Sequence, residues 1–321
     1  MNIDMIHAAA LRLDGHARKT PLLSSPFLDE IAGRRILIKA ECLQHTGSFK
    51  FRGAWSAVTG MAPKGGVLAY SSGNHAQGVA MAARKYGCPA VIVMPADAPE
   101  TKLRNTRWLG GEVVTYDRAS ESREEIGERI ATERDLTLIR PFDEPLVIAG
   151  QGTTGLEIAA QAKEMGIEEA EVLVCCGGGG LSAGIALALE ADAPGMRMRT
   201  VEPAGFDDVA RSLRTGARQT NNSQSGSICD AILTPAPGEL TFPILHRLCG
   251  DGLIISDEEA LQAIALAFLR LKIVIEPGGA AALAAALYRT DQLESDTVIV
   301  TASGGNIDPE MFKQSLNRLK H

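Results

Sequence analysis

Short runs of β-branched and other apolar residues alternate with longer helical patterns along nearly the whole chain. Nine of these runs predict strands, at 36–41, 67–72, 90–95, 112–117, 136–141, 171–176, 198–202, 253–256 and 297–303. Helical patterns separate most of them, for example at 74–86, 101–109, 122–133, 181–190, 257–271 and 280–288. Such alternation predicts an α/β fold in which open, twisted, mostly parallel sheets carry helices on both faces.

The length of 321 residues suggests about two domains or one large α/β unit. Three or four compact strand–helix units lie between residues 66 and 143, and we expect them to form a small α/β domain. That domain would be inserted between the two parts of a larger one, residues 1–65 and 144–321. The polar segment 215–226, which is rich in chain-breaking residues, is expected to be a long surface loop.

Composition argues against several classes of protein. The net charge of −7 and the aromatic content of 4% disfavour a nucleic-acid-binding surface. No apolar run approaches the roughly 20 residues of a membrane span, and the N-terminal segment has no signal or transit pattern. We therefore expect a cytoplasmic protein without nucleic-acid or membrane partners. The six cysteines have no metal-ligand spacing and are expected to be reduced thiols.

The segment 46–53, TGSFKFRG, places Lys50 between two phenylalanines after a turn. Apolar surroundings lower the pKa of a lysine amine, which makes the amine available for Schiff-base formation. Taken alone, the segment fits a solvated lysine between two core phenylalanines better, since most lysines are exposed.

Residues 175–184, CCGGGGLSAG, place four glycines between a predicted strand and a predicted helix. Glycine amides can approach an oxyanion closely, and the start of a helix favours negative charge. Because neither a Walker pattern nor G-x-G-x-x-G is present, the segment predicts a phosphate held by neutral amides and not a magnesium-bound nucleotide. A flexible surface turn is the alternative.

Two further segments follow predicted strands. Residues 71–78, SSGNHAQG, offer hydroxyls, an amide and a helix start, which suit a carboxylate beyond the carboxyl end of a strand. Ordinary N-capping is the alternative for this segment. Residues 301–306, TASGGN, form a favourable turn sequence and are weak evidence by themselves.

Together and in this order, the four segments resemble the fold type II pyridoxal-phosphate enzymes, which share the tryptophan synthase β-like fold. Within them the chain is similar to the serine/threonine dehydratase family, which includes threonine ammonia-lyase and serine racemase. The resemblance also covers KAE at 39–41, VIAGQGT at 147–153, EP at 202–203 and IEP at 275–277. It implies pyridoxal 5'-phosphate as the cofactor and a homodimer. Because the sequence ends at His321, no C-terminal regulatory domain is expected.

The resemblance implies a role for each residue of these segments. Lys50 would hold the cofactor as a Schiff base, Asn74 would bind the phenolic oxygen of its ring, and Ser303 would face the pyridine nitrogen. A serine hydroxyl does not keep that nitrogen protonated as a carboxylate would, so the ring is expected to be a weak electron sink. The other implied cofactor contacts are Phe49, Glu276, Gly177, Gly178, Gly179, Gly180 and Leu181.

The implied reaction is a β-elimination, in which Lys50 removes the α-proton of a β-hydroxy amino acid of the L-threonine or L-serine type. Water leaves, and the final products are a 2-oxo acid and ammonia. The residues expected to bind this small amino-acid substrate are Ser71, Ser72, Asn74, His75 and Arg123. For Arg123, a helical ion pair with a neighbouring glutamate is the alternative.

Ser72 is also implied as a catalytic residue, because in racemases of this family a serine here can return a proton to the opposite face of the substrate. An amino-acid racemase and a dehydratase of the 3-hydroxyaspartate type therefore stay open. Phe142, where racemase-like members tend to have asparagine, favours elimination, whereas Ala231, where relatives often have glycine, leaves the substrate open. The missing G-x-G-x-x-G pattern argues against a nucleotide-dependent dehydrogenase, and a catalytically silent binding protein is the remaining alternative.

The segment 202–208 implies a divalent-metal site. Family members with such a site use a glutamate after a strand, a backbone carbonyl and an aspartate, which here would be Glu202, the carbonyl of Phe206 and Asp208. Hard oxygen ligands of this kind suit Mg²⁺ or Ca²⁺. Solvated acidic residues, one of which caps a helix, are the alternative.

Overall fold

The computed structural model describes residues 1–223 and 225–318, and its strands form two sheets. The strands are β1 (Leu22–Ser24), β2 (Arg35–Lys39), β3 (Val67–Tyr70), β4 (Ala90–Pro95), β5 (Gly111–Tyr116), β6 (Thr137–Leu138), β7 (Ala170–Cys175), β8 (Met196–Pro203), β9 (Leu253–Ile255) and β10 (Thr297–Thr301). The larger sheet has the order β1-β2-β10-β7-β8-β9, and the smaller sheet has the order β5-β4-β3-β6. All neighbouring strands are parallel except β1 and β2.

Helices connect the strands, as a parallel sheet requires. They are α1 (Ile3–Leu13), α2 (Pro26–Ala32), α3 (Lys50–Met61), α4 (Asn74–Tyr86), α5 (Glu100–Trp108), α6 (Arg123–Arg134), α7 (Pro145–Glu164), α8 (Gly180–Asp192), α9 (Asp208–Thr215), α10 (Thr241–Leu248), α11 (Asp257–Leu271), α12 (Pro277–Tyr288) and α13 (Pro309–Leu316). Short 3-10 helices occupy Glu41–Leu43, His45–Gly47, Asp230–Ile232 and Thr290–Gln292. Within residues 1–223 and 225–318, no helix is long and apolar enough to cross a membrane.

The predicted α/β fold is confirmed, and each of the nine predicted strands overlaps an observed one. The strand predicted at 136–141 is reduced to two residues, because after Leu138 the chain leaves the smaller sheet and passes along the cavity described below. The sequence did not predict β1, a three-residue strand whose only partner among the described residues is β2. After α9, the described residues from 216 to 229 form neither helix nor strand, as predicted for the loop, although Gln224 lies outside the described residues.

The strands of the smaller sheet all lie between residues 67 and 138, within the segment predicted to form an inserted domain. The larger sheet draws its strands from both sides of that segment. The domain boundaries at 65–66 and 143–144 stay a prediction.

A buried ion-pair network fixes the helix that begins at Lys50. Arg52 contacts Glu41 at 2.8 Å and Glu157 at 2.7 Å, and the Nζ of Lys39 lies 2.6 Å from the second oxygen of Glu157. Arg52, Lys39 and Glu41 are almost completely buried, so removing one partner would leave an uncompensated charge in the core. The network therefore holds α3 against β2 and α7, and with it the first turn that carries Lys50.

Close packing of α7 on α8 fixes the second half of the site. A Cβ at Gly184 would lie 2.6 Å from the backbone nitrogen of Gly152, so a glycine is needed at this contact. The start of α8, where the four-glycine segment ends, is thereby held close to α7.

Candidate active site

One cavity of about 510 Å³ collects every residue predicted to bind cofactor or substrate. It lies beyond the carboxyl ends of β3, β7 and β10, where open α/β sheets bind ligands. The predicted residues that line it are Phe49, Lys50, Ser71, Ser72, Asn74, His75, Arg123, Gly177, Gly178, Gly179, Gly180, Leu181, Glu276 and Ser303. Their roles stay predictions, whereas their proximity is a property of the fold.

Lys50 is the first residue of α3, and its amine lies in the cavity. Nζ donates a hydrogen bond to the carbonyl oxygen of Pro141 at 2.8 Å and lies 5.2 Å from the centre of the Phe49 ring. Burial lowers the pKa of Lys50 to about 8, although the charge of Glu276 opposes the change. With such a pKa, on the order of a tenth of the amine is uncharged at neutral pH.

Main-chain hydrogen bonds tie the segment before Lys50 to the segment that contains Ser303. The N–H of Phe49 donates to the carbonyl of Ser303 at 3.1 Å, and the N–H of Gly305 donates to the carbonyl of Gly47 at 2.9 Å. Ser303 itself is 4% exposed. Backbone contacts therefore set the separation between the lysine and the serine, with no long side chain in between.

The four-glycine segment connects β7 to α8 along the cavity wall. Gly179, the N-cap residue, has φ of 89°, a left-handed conformation that favours glycine. Because the first N–H groups of a helix lack partners within it, those at the start of α8 are available to an anion.

Unpartnered polar atoms surround this helix start. Among the described residues, the hydroxyl of Ser182 and both polar atoms of the Gln151 side-chain amide are buried without a hydrogen-bond partner. Both residues line the cavity. Leaving a buried polar group unpaired costs about 1–3 kcal/mol, so these atoms together with the free amides fit a bound phosphate group.

Asn74 begins α4, and its side chain lies between Glu276 and Asn306. Its Nδ2 donates to Oε1 of Glu276 at 2.5 Å, and its Oδ1 accepts from Nδ2 of Asn306 at 2.6 Å. Burial raises the pKa of Glu276 to about 7, although the hydrogen bond from Asn74 opposes the rise. Glu276 therefore gains or loses a proton near neutral pH.

The start of α4 offers main-chain donors to a carboxylate, whereas the ring of His75 does not. The Nε2 of His75 lies 2.8 Å from the carbonyl oxygen of Ile139, and burial lowers the pKa of His75 to about 3. The ring is therefore neutral, and its proton is on Nε2, since a carbonyl only accepts. Nδ1 then carries a lone pair, so a contact from His75 to a carboxylate must use its backbone N–H.

Arg123 both lines the cavity and forms the ion pair that the sequence offered as the alternative. Its Nε donates to Oε1 of Glu124 at 2.7 Å, and about half of its side chain is exposed. Two more cations line the same cavity, Lys102 and Arg118. Each of them also contacts a carboxylate, Asp230 and Asp97 respectively.

The three predicted metal ligands lie outside this cavity. Glu202 accepts hydrogen bonds from the N–H groups of Val209 and Ala210 at 2.8 and 2.7 Å, so it caps the start of α9. Asp208 accepts from Asn221 with one oxygen, while its other oxygen is buried and has no partner within the described part of the chain. Burial and the proximity of the two acids raise the pKa of Glu202, and burial raises that of Asp208 to about 6.

An unpartnered buried carboxylate oxygen and two acids with raised pKa values fit a cation at this position. Both carboxylate oxygens of Glu202 already accept hydrogen bonds from the start of α9, so this ligand also serves as a helix cap. Across residues 1–223 and 225–318, no group of three or more His, Cys, Asp and Glu side chains could hold a metal ion. The site therefore depends on the carbonyl of Phe206 as the third ligand and stays a prediction.

Several residues of the cavity wall were not predicted from the sequence. They are Tyr70, Gln77, Lys102, Arg118, Pro141, Gln151, Asp230 and Asn306. Gln151 and Asn306 stand inside segments that were quoted, VIAGQGT and TASGGN. A polar side chain on the inner face of a helix was the available signal for Gln151, whereas Lys102 and Arg118 look like ordinary surface cations in the sequence.

Comparison with known proteins gives consistent results over the whole chain. The family model described as "Pyridoxal-phosphate dependent enzyme" matches residues 13–304. An L-threo-3-hydroxyaspartate ammonia-lyase from Pseudomonas sp is 41% identical over 98% of this chain and 97% of its own length. A serine racemase from Schizosaccharomyces pombe is 38% identical over 98% of this chain and 97% of its own. A crystal structure of the threonine deaminase from T.th. superposes with a TM-score of 0.89 at 44% identity, covering 96% of this chain and 99% of that one.

Proposed function

The chain belongs to the family of pyridoxal-phosphate dependent enzymes, and we propose that it is an ammonia-lyase acting on small β-hydroxy amino acids. It converts a substrate of the L-threonine or L-serine type into a 2-oxo acid and ammonia by β-elimination. The observation that carries the proposal is the amine of Lys50, with its lowered pKa, in the cavity that also contains the glycine segment and Ser303.

The residues of the cavity account for each part of the cofactor. The amides from Gly177 to Leu181 would bind the phosphate at the start of α8, with the unpartnered hydroxyl of Ser182 beside them. Asn74 would donate to the phenolic oxygen, Phe49 would pack on the ring, and Ser303 would face the pyridine nitrogen. When bound, pyridoxal phosphate supplies an electrophilic carbonyl carbon and a conjugated ring that accepts electrons from the α-carbon of an amino acid.

Lys50 moves the proton. Its neutral amine takes a proton from the substrate α-carbon, and the low pKa means that the amine does not stay fully protonated at neutral pH. Because Ser303 is neutral, it would not hold a proton on the ring nitrogen of a bound cofactor, and this would favour prompt loss of the β-hydroxyl.

The substrate carboxylate binds at the start of α4. The N–H groups of Asn74 and His75 and the hydroxyls of Ser71 and Ser72 supply the donors. Arg123 lies on the cavity wall, where it adds a positive charge once it exchanges Glu124 for a substrate carboxylate.

A racemase is the second candidate, and Ser72 is the residue that favours it. Its side chain lines the same cavity as Lys50, so it is the proton donor for the opposite face of the substrate in that case. The serine racemase from S. pombe is 38% identical to this chain. Release of 2-oxo acid together with unchanged chirality of the remaining amino acid distinguishes elimination from racemisation.

A dehydratase of the 3-hydroxyaspartate type is favoured by the three cations of the wall, Lys102, Arg118 and Arg123. A second carboxylate on the substrate would find positive charge there. The Pseudomonas relative is named an L-threo-3-hydroxyaspartate ammonia-lyase, so 3-hydroxyaspartate should be among the substrates tested.

Mg²⁺ or Ca²⁺ is proposed at Glu202, Asp208 and the carbonyl of Phe206. The ion would neutralise two buried acids and stabilise the segment that follows β8. It has no part in the chemistry at Lys50, because the three ligands are outside the cavity.

A homodimer is proposed from an apolar surface on α2 and α11. We call it the α2/α11 surface; its exposed residues are Phe27, Ile31, Phe268 and Leu269. The guanidinium of Arg270 lies 4.5 Å from the centre of the Phe27 ring, so the two helices share one continuous face. Exposed aromatic and aliphatic side chains of this kind mark protein interfaces. The cytoplasmic location stays a prediction.

The purified protein, loaded with pyridoxal phosphate, tests the function directly. We expect a visible absorption band and release of 2-oxo acid from L-threonine, L-serine or 3-hydroxyaspartate. Lys50→Ala is expected to abolish turnover, whereas Lys64→Ala, which removes an exposed lysine, serves as the matched control. Full turnover by Lys50→Ala, or a colourless protein, contradicts the proposal.

A further inference from the structure

Asn306 closes the segment TASGGN, yet the proposed function gives its side chain no task. Its Nδ2 donates to two acceptors, the backbone carbonyl oxygen of Thr46 at 2.8 Å and Oδ1 of Asn74 at 2.6 Å. The side chain is half-buried and lines the cavity. It thereby joins three segments of the site, those that carry Lys50, Asn74 and Ser303.

These two hydrogen bonds determine which way the side-chain amide of Asn74 points. A backbone carbonyl oxygen only accepts, so the atom of Asn306 that faces Thr46 is the nitrogen. Since the same nitrogen faces Asn74, the Asn74 atom at that contact is the oxygen. The Nδ2 of Asn74 must then point the other way, toward Glu276, where it donates at 2.5 Å.

The backbone before Lys50 is shaped to present this carbonyl. Thr46 has φ of 60° and ψ of 13°, a left-handed conformation that is rare for a β-branched residue. Such strain persists only where the surroundings fix it. The next residue, Gly47, leaves room for Asn306, because a Cβ there would lie 2.8 Å from Oδ1 of Asn306.

We propose that Asn306 is a positioning residue, which holds the amide of Asn74 with its N–H groups toward Glu276 and the phenolic oxygen of the cofactor. This inference rests on the proposed function through the contact assigned to Asn74. One hydrogen of Nδ2 goes to Glu276, and the second is free for the cofactor. Without Asn306 the amide turns in a fraction of molecules and presents its oxygen, which repels an anionic phenolic oxygen.

A double-mutant cycle on cofactor affinity tests the proposal. Apo-protein is titrated with pyridoxal phosphate in equilibrium dialysis, which needs no turnover, for wild type, Asn306→Ala, Asn74→Ala and the double variant. We expect Asn306→Ala to raise the dissociation constant about fivefold in the wild-type background, the factor typical of a hydrogen bond between neutral groups. In the Asn74→Ala background, Asn306→Ala is expected to raise the dissociation constant less than twofold.

Asn306→Asp keeps the size of the side chain and gives a second cycle if the alanine variant does not fold. It replaces the donor with an acceptor, so its effect is expected to equal or exceed that of alanine and to be smaller in the Asn74→Ala background than in the wild-type background. Asn105→Ala, an exposed amide on α5, is the control and leaves the affinity unchanged.

Three results overturn the proposal. They are an unchanged affinity in Asn306→Ala or Asn306→Asp, an equal loss in both backgrounds, and an unchanged affinity in Asn74→Ala. Failure of the proposed function has a different signature, since a protein that binds the cofactor but releases no 2-oxo acid still gives a complete cycle.

Discussion

Replacing Glu276 by glutamine should change how the stability of the apo-protein depends on pH. The carboxyl is 5% exposed, accepts one hydrogen bond from Asn74, and has its pKa raised from 4.5 to about 7 by burial. Glutamine has nearly the same shape and keeps an oxygen for Asn74, but it carries no charge at any pH. The substitution therefore isolates the cost of ionising this one buried group.

Proton binding at Glu276 determines whether stability rises or falls with pH. The folded protein binds a proton at Glu276 more tightly than the unfolded chain, so folded-state stability falls as the pH rises from 4.5 through 7. Each pKa unit corresponds to about 1.4 kcal/mol, which makes the total loss about 3 kcal/mol. Most of it, about 2–3 kcal/mol, falls between about pH 5 and about pH 8.

Chemical unfolding of the two apo-proteins at a series of pH values measures this difference. Glu276→Gln should gain about 2–3 kcal/mol relative to wild type between about pH 5 and about pH 8. Other titrating groups, such as His75 and Asp208, are present in both proteins and cancel in the comparison. Glu169→Gln, at an exposed position, should show no such gain. A difference between Glu276→Gln and wild type that stays constant with pH would refute the reasoning.

Three further substitutions test the cofactor site, the proposed metal site and the proposed dimer interface. Gly304→Ala should weaken pyridoxal phosphate binding at least tenfold in equilibrium dialysis, because its Cβ would overlap Oε1 of Glu276; unchanged affinity contradicts this geometry. Added Mg²⁺ or Ca²⁺ should raise the melting temperature of wild type but not of Asp208→Asn, and a protein indifferent to both ions would have no such site. Leu269→Glu places a charge on the α2/α11 surface and should give a monomer in multi-angle light scattering at concentrations where wild type is a dimer; an unaltered mass places the interface elsewhere.

The sequence predicted the sheet strands well because buried parallel strands are continuous apolar runs. The apolar run at 90–95 coincides with β4. The helical pattern at 257–271 coincides with α11, whose start is marked by the capping pair Ser256 and Glu259. It failed at β1, since a three-residue strand carries no detectable pattern and exists only through its pairing with β2.

The site was predicted from four segments, three of which follow strands, and their residues do lie together in one cavity. What the sequence could not supply were contacts across long separations in the chain. The acceptor for the Lys50 amine is a carbonyl 91 residues away, and the Asn74 amide is held by residues more than 200 positions away. The sequence predicted that His75 binds the substrate but not with which atoms, and the hydrogen bond of its ring to Ile139 leaves only an acceptor nitrogen free.

The central claim is that Lys50 carries the cofactor, and mapping the attachment site tests it most directly. The holo-protein is treated with borohydride, which makes a lysine–cofactor link permanent, then digested and analysed by peptide mass spectrometry. The structure predicts the added mass on Lys50, the lysine whose amine lies in the cavity with a pKa of about 8. Attachment at another lysine such as Lys102, or an active enzyme with no attachment at Lys50, would contradict the account.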